Sequence, residues 1–177
     1  MSVNINLLNE DAFIDTNIFL YTIKSNNKSS RYCGDYISRV KYGELLGFVP
    51  PLVISELFYK LIMIEISETK KLDISKSKNY LKENPAIISK LKKSSKVIEE
   101  LYIYEGIKIL QLGEEISKLS LELSKEYGLL PNDAIHVATC KYYDIKNIAT
   151  NDSDFERVDF LKRSEERRVG KECRSRW

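Results

Sequence analysis

Short apolar runs alternating with helix-length amphipathic stretches constrain this chain's fold more than any other feature. Ala12 to Asp15, Phe48-Val49, Ile107 to Leu110 and Ile148-Ala149-Thr150 read as strands. Between them lie helical patterns. One is capped by Thr16 or Asn17 and runs through Tyr21 and Ile23. A second spans residues 32 to 46, with Tyr36, Ile37, Val40 and Leu45 on one side and Gly47 as its stop. A third starts at Pro50-Pro51, runs to about residue 68, and carries the stripe Val53, Leu57, Leu61, Ile64. Later helices span 113 to 127, with Ile116, Leu119 and Leu123 aligned and Gly128 as the stop, and 131 to 143. Strands alternating with helices in this way argue for an α/β fold with a parallel sheet.

Residues 69 to 104 break the pattern. Lys, Ser and Asn dominate, and Asn84-Pro85 interrupts them; helices are expected at 74 to 81 and 86 to 91. The 177 residues suit a single domain, expected over 1 to 162, and 43% hydrophobic residues allow a sizeable core. No apolar run is long enough for a membrane span, and the start lacks the pattern of a signal peptide. Cys33, Cys140 and Cys173 form no CxxC pair, which fits neither a disulfide framework nor a zinc site and points to a reducing, cytoplasmic setting. The net charge of +2 comes from the end of the chain. Residues 163 to 177 hold six basic and three acidic residues, leaving −1 on the rest. Arg163 to Cys173 resembles the translation of a sequencing-library adaptor, so a non-native tail is expected there, against the alternative of a basic arm.

Four acidic segments carry the chemistry. They are Ala12-Phe13-Ile14-Asp15-Thr16-Asn17, Ile54-Ser55-Glu56-Leu57, Pro131-Asn132-Asp133-Ala134-Ile135 and Ala149-Thr150-Asn151-Asp152-Ser153-Asp154-Phe155. Each sets a carboxylate beside apolar residues near the end of an expected strand or helix. Like charges buried together are unfavourable unless a cation joins them. A carboxylate site without a His or Cys cluster favours hard cations, Mg²⁺ or Mn²⁺. Taken singly, Asp15 and Asp152 could cap turns, Asp133 could answer a helix dipole and Glu56 could be a solvated helix residue. The joint pattern carries the weight. Ligands of open parallel sheets bind beyond the carboxyl ends of the strands, where these residues would meet.

The ordered set Phe-Ile-Asp-Thr-Asn, Ser-Glu-Leu, Asp-Ala-Ile-His-Val-Ala and Thr-Asn-Asp-Ser-Asp-Phe resembles the PIN domain family over about residues 11 to 160. The resemblance implies a three-layer α/β/α fold with a short central parallel sheet of four to five strands. It implies metal-dependent cleavage of RNA, with Asp15, Glu56, Asp133 and Asp152 catalytic and metal-binding and Asp154 a further metal ligand or a substitute for Asp152. Thr16, Asn17 and Thr150 would support the metal or the phosphate. The partners it implies are RNA, an antitoxin protein and a second copy of the chain. A nuclease that processes RNA without an antitoxin and a catalytically silent binding module are the rivals. The stretch from 69 to 104 is longer than a compact toxin needs.

Other residues read more plainly. His136 is the lone histidine, so a His-based triad or zinc site has no support; helix packing or a surface position is expected. Lys90, Lys92, Lys93 and Lys96 could track an RNA backbone but read first as a solvated helix face. Ser55 and Ser153 lack a plausible base.

Overall fold

The computed structural model describes residues 10–24 and 28–163. Five strands form one sheet: β1 (Ala12–Ile14), β2 (Gly47–Val49), β3 (Ile107–Ile109), β4 (Asn147–Ala149) and β5 (Lys162–Arg163). Their order is β3-β2-β1-β4-β5, and every neighbouring pair is parallel. Register is set by Phe13 opposite Phe48 on one side and Ile148 on the other. Ala12, Phe13 and Ile14 are all buried. Successive strand residues point to opposite faces, so both faces of β1 are covered and the sheet is the middle layer.

Helices connect the strands: α1 (Thr16–Lys24), α2 (Lys28–Lys41), α3 (Pro51–Lys70), α4 (Ile74–Glu83), α5 (Lys93–Tyr102), α6 (Glu114–Tyr127) and α7 (Pro131–Tyr142), with 3-10 turns at Pro85–Lys90 and Ser153–Arg157. α3 starts on Pro51, whose missing N–H has no helical partner to lose. α6 ends on Gly128 in the left-handed conformation (φ 62°). The main core gathers residues from β1, β2, β4 and helices α1 to α3, α6 and α7. A second, smaller cluster joins Ile62, Met63 and Ile66 of α3 to Leu91, with Phe58, Tyr80, Leu81 and Ile87 against it.

The chain lays down β1, β2 and β3 in one direction, then returns to place β4 and β5 on the other side of β1. The strand order therefore reverses between β1 and β4. Their carboxyl ends flank the crevice where ligands of such sheets bind.

Several local expectations are corrected. The helix expected over 32 to 46 is α2, which ends at Lys41, and Gly43 takes the left-handed conformation (φ 74°). Gly47 is not its stop but part of β2. A Cβ there would collide with Ile14 Cδ1 and lie 3.0 Å from Val40 Cγ1, so any larger residue would make these core side chains shift. In the Lys/Ser-rich stretch, α4 and the 3-10 turn match the two expected helices, and α5 was not expected. β5 is a further strand, and Arg163 belongs to it. The expected tail otherwise lies outside the described residues. Among the described residues, no helix is long and apolar enough to cross a membrane, and Cys33 and Cys140 are both buried.

Candidate active site

Asp15 is the first residue past β1, tied to β4 by its N–H donating to Ala149 O at 3.0 Å. It is 8% exposed. Burial raises its pKa, against the Thr150 hydroxyl, His136 and the Thr16 N–H, all of which favour the charge; nearby Glu56 adds to the rise. The Thr150 hydroxyl donates to Asp15 Oδ2 at 2.6 Å and accepts from the Asp152 N–H at 3.0 Å. One buried threonine thus links the residues leaving β1 and β4.

Glu56 lies near the start of α3. The Thr16 hydroxyl donates to Oε2 at 2.9 Å, and Asn132 Nδ2 donates to Oε1 at 2.6 Å. His136 Nε2 stands 3.8 Å from Oε2. Burial opposes the Glu56 charge, but His136, Thr16 and Asn132 outweigh it and hold the carboxyl below its ordinary pKa. Asp133 sits in the first turn of α7. Its pKa is pushed up to about 6, first by burial and then by the charges of Asp152, Asp15 and Asp154, against the pull of His136. Asp152 caps the 3-10 turn at Ser153–Arg157, its Oδ1 accepting from the Asp154 N–H at 2.9 Å.

Asp15, Asn17, Glu56, Asp133 and Asp152 line one open cleft of about 600 Å³. Thr16 and Thr150 are buried behind it, each holding a carboxylate. Asp154 does not line the cleft; its carboxylate pairs with Arg157 Nη2 at 2.9 Å, and only its charge reaches Asp133. His136 is 2% exposed, with its ring 5.2 Å from Phe13, so it packs as expected while also facing Glu56.

The donor set suits a hard cation. All the carboxylates bear oxygen, two are pushed toward protonation by burial and mutual repulsion, and the buried Asn17 Oδ1 has no hydrogen-bond partner among the described residues. Among the described residues, no group of three His, Cys, Asp or Glu side chains is close enough together to enclose an ion.

Six residues that line the cleft are not among the site residues expected from the sequence: Tyr59, Lys60, Leu130, Pro131, Asn132 and His136. A signal existed for two of them. Tyr59 and Lys60 stand three and four residues after Glu56, so they share its helix face.

Comparison with known proteins bears on the family and the fold. The PIN domain family profile matches residues 12–161. Ribonuclease VapC2 of Methanocaldococcus jannaschii is 36% identical over 149 residues, covering 84% of this chain and 89% of the relative. Among solved structures, VapC20 of Mycobacterium tuberculosis, a sarcin-ricin loop cleaving toxin, superposes with TM-score 0.56 at 11% identity, covering 85% of this chain and 97% of the other. A toxin-antitoxin complex from Klebsiella pneumoniae superposes with TM-score 0.53 at 15% identity, covering 88% and 98%. With its five parallel strands, its reversal beside β1 and its match over nearly the whole described chain, this protein belongs to the PIN domain family.

Proposed function

We propose that this chain is a metal-dependent endoribonuclease and the toxin of a toxin–antitoxin pair. One observation carries the reading: carboxylates from four separate elements line a single cleft at the switch point of the sheet. The relative named a ribonuclease, at 36% identity, supports the reaction class. The similarity to a toxin-antitoxin complex supports a protein partner. A basic side chain from such a partner would offset the carboxylates.

Mg²⁺ or Mn²⁺, when bound, supplies a Lewis acid that makes water a stronger nucleophile and offsets charge on the phosphoryl oxygens. Asp15, Glu56, Asp133 and Asp152 are the residues that would hold it. Thr150 and Thr16 fix the first two carboxylates, so little reorganisation is needed when substrate arrives. Burial and the neighbouring carboxylates push the Asp133 pKa up to about 6, a penalty that a bound cation would relieve. Asn17 and Lys60 face the space that a phosphate would fill.

The test is cleavage of labelled single-stranded RNA by purified protein with Mn²⁺, with EDTA, and with Asp15→Asn. The expected result is metal-dependent cutting that falls about 100-fold or more in the variant, as loss of a key electrostatic group does. Wild-type rates from folded Asp15→Asn protein would refute the assignment. Absence of any cutting by folded, partner-free wild type would favour the silent binding module.

A further inference from the structure

The Lys-rich stretch carries a charge pattern that the cleft does not explain. Residues 69 to 102 hold nine lysines (70, 71, 76, 78, 82, 90, 92, 93 and 96) against Asp73, Glu83, Glu99 and Glu100, a net +5. The rest of residues 1 to 162 carries −6, from 13 basic and 19 acidic residues. All nine lysines are exposed. Among the described residues only two of them form ion pairs, Lys93 with Glu68 and Lys96 with Glu100. Lys70 lies over the Tyr80 ring.

This basic lobe is a built platform. α4 and the 3-10 turn pack on the second hydrophobic cluster, around Ile62, Met63, Ile66 and Leu91, and α5 packs on the main core through Val97, Ile98 and Leu101. The Glu65 carboxylate of α3 accepts the backbone N–H groups of Lys92, Lys93 and Ser94 at 3.0, 3.1 and 2.8 Å, which pins the start of α5. The platform shares α3 with the cleft. At about 100° per residue, Lys60 and Lys70 each lie within about 40° of Glu56 around the helix axis, roughly 6 and 21 Å along it. Lys60 at the cleft and Lys70 at the lobe thus stand on the same side of one helix.

We propose that the lobe formed by α4, the 3-10 turn at Pro85–Lys90 and α5 is a second nucleic-acid contact, gripping the phosphate backbone of an RNA whose scissile bond lies in the cleft. The inference rests on the ribonuclease reading and deepens it. It makes the substrate an RNA long enough to span roughly 20 Å along α3, held by charge rather than by base sequence. The acidic remainder of the chain would repel a polyanion elsewhere, so the lobe also orients the encounter. An acidic segment of a protein partner is the competing occupant.

The test uses the full chain in EDTA, so that binding is read without cleavage. The quadruple variant Lys76→Gln/Lys78→Gln/Lys82→Gln/Lys90→Gln changes only exposed side chains, and circular dichroism checks its fold. Fluorescence anisotropy measures binding of an RNA hairpin of about 24 nucleotides and of a four-nucleotide RNA across a salt series. The expected result is at least tenfold weaker hairpin binding, a salt slope lower by about 3, and a much smaller loss on the short RNA. An unchanged hairpin affinity and slope, with wild-type protein still cutting RNA in Mn²⁺, would overturn the lobe proposal and leave the ribonuclease reading intact. Equal losses on both RNAs would overturn it too, since the lysines would then act at the cleft. Wild-type protein that neither binds nor cuts RNA would sink the ribonuclease reading and this inference with it. Unchanged RNA binding together with lost binding of an acidic peptide would assign the lobe to a protein partner and refute the proposal.

Discussion

Thr150 has no titratable group, yet two strand ends meet on its hydroxyl. It donates to Asp15 and accepts from the Asp152 N–H, in a buried position. Thr150→Val keeps the shape and removes both bonds. A buried donor left unpaired costs about 1–3 kcal/mol, and loss of a group that orients a ligand typically lowers activity 10- to 100-fold. Thermal denaturation and RNA cleavage rates check both numbers; wild-type values for each would show that Asp15 needs no such support. Asp133 gives a prediction of opposite sign for stability. Its folded pKa is raised to about 6 from an ordinary 3.8. Folding therefore favours the protonated form: Asp133 contributes stability below about pH 4, and that contribution is lost as pH rises through 6. In metal-free protein, Asp133→Asn should raise stability at pH 7.5 by on the order of 1 kcal/mol, after allowance for solvent screening, and not at pH 4. A melting series with pH in EDTA decides it. Asp15, Glu56, Asp133 and Asp152 were legible as candidates because each carboxylate interrupts apolar residues at an element end. Asn132 was overlooked although it precedes Asp133, because a side-chain amide beside a carboxylate says nothing about a partner 76 residues away.

At the scale of elements, α5 shows what a chain read from local signals leaves out. Its start, Lys92-Lys93-Ser94, has no side-chain cap of its own. The cap comes from Glu65, on α3, through three backbone N–H groups. Glu65 is buried, and although burial opposes its charge, those N–H groups hold its pKa below the ordinary value. Its stabilisation is present above an unfolded pKa of 4.5 and is lost as pH falls through the folded value. Glu65→Ala should destabilise the fold by about 2 kcal/mol or more, the upper end for losing a cap, and should loosen the lobe before the sheet. Hydrogen exchange of the α5 amides measures this; unaltered protection there would contradict the account. Gly47 misled for a related reason, since its role is close packing between α2 and β1 rather than a turn. β5 is two residues long, too short for any periodicity to mark. The long helices α3, α6 and α7 were legible because each carries an apolar stripe and a Pro or Gly boundary.

The whole molecule joins two opposite charge fields on one helix. The cleft gathers carboxylates at the N-terminal end of α3, and the lysine lobe sits at the other end. The sheet reversal between β1 and β4 sets the first field, and the capped insertion sets the second. The alternation of strands and helices anticipated the sheet. Nothing local anticipated the reversal, because strand order depends on which edge each new strand joins. The central proposal is that the carboxylates lining the cleft hold a hard cation. Anomalous diffraction from crystals soaked in Mn²⁺ tests that most directly. The account predicts a peak in the cleft, at about 2.0–2.3 Å from oxygens of at least two of Asp15, Glu56, Asp133 and Asp152, with waters filling the remaining positions. A cleft free of manganese at millimolar Mn²⁺, in crystals of folded and partner-free protein, would contradict it.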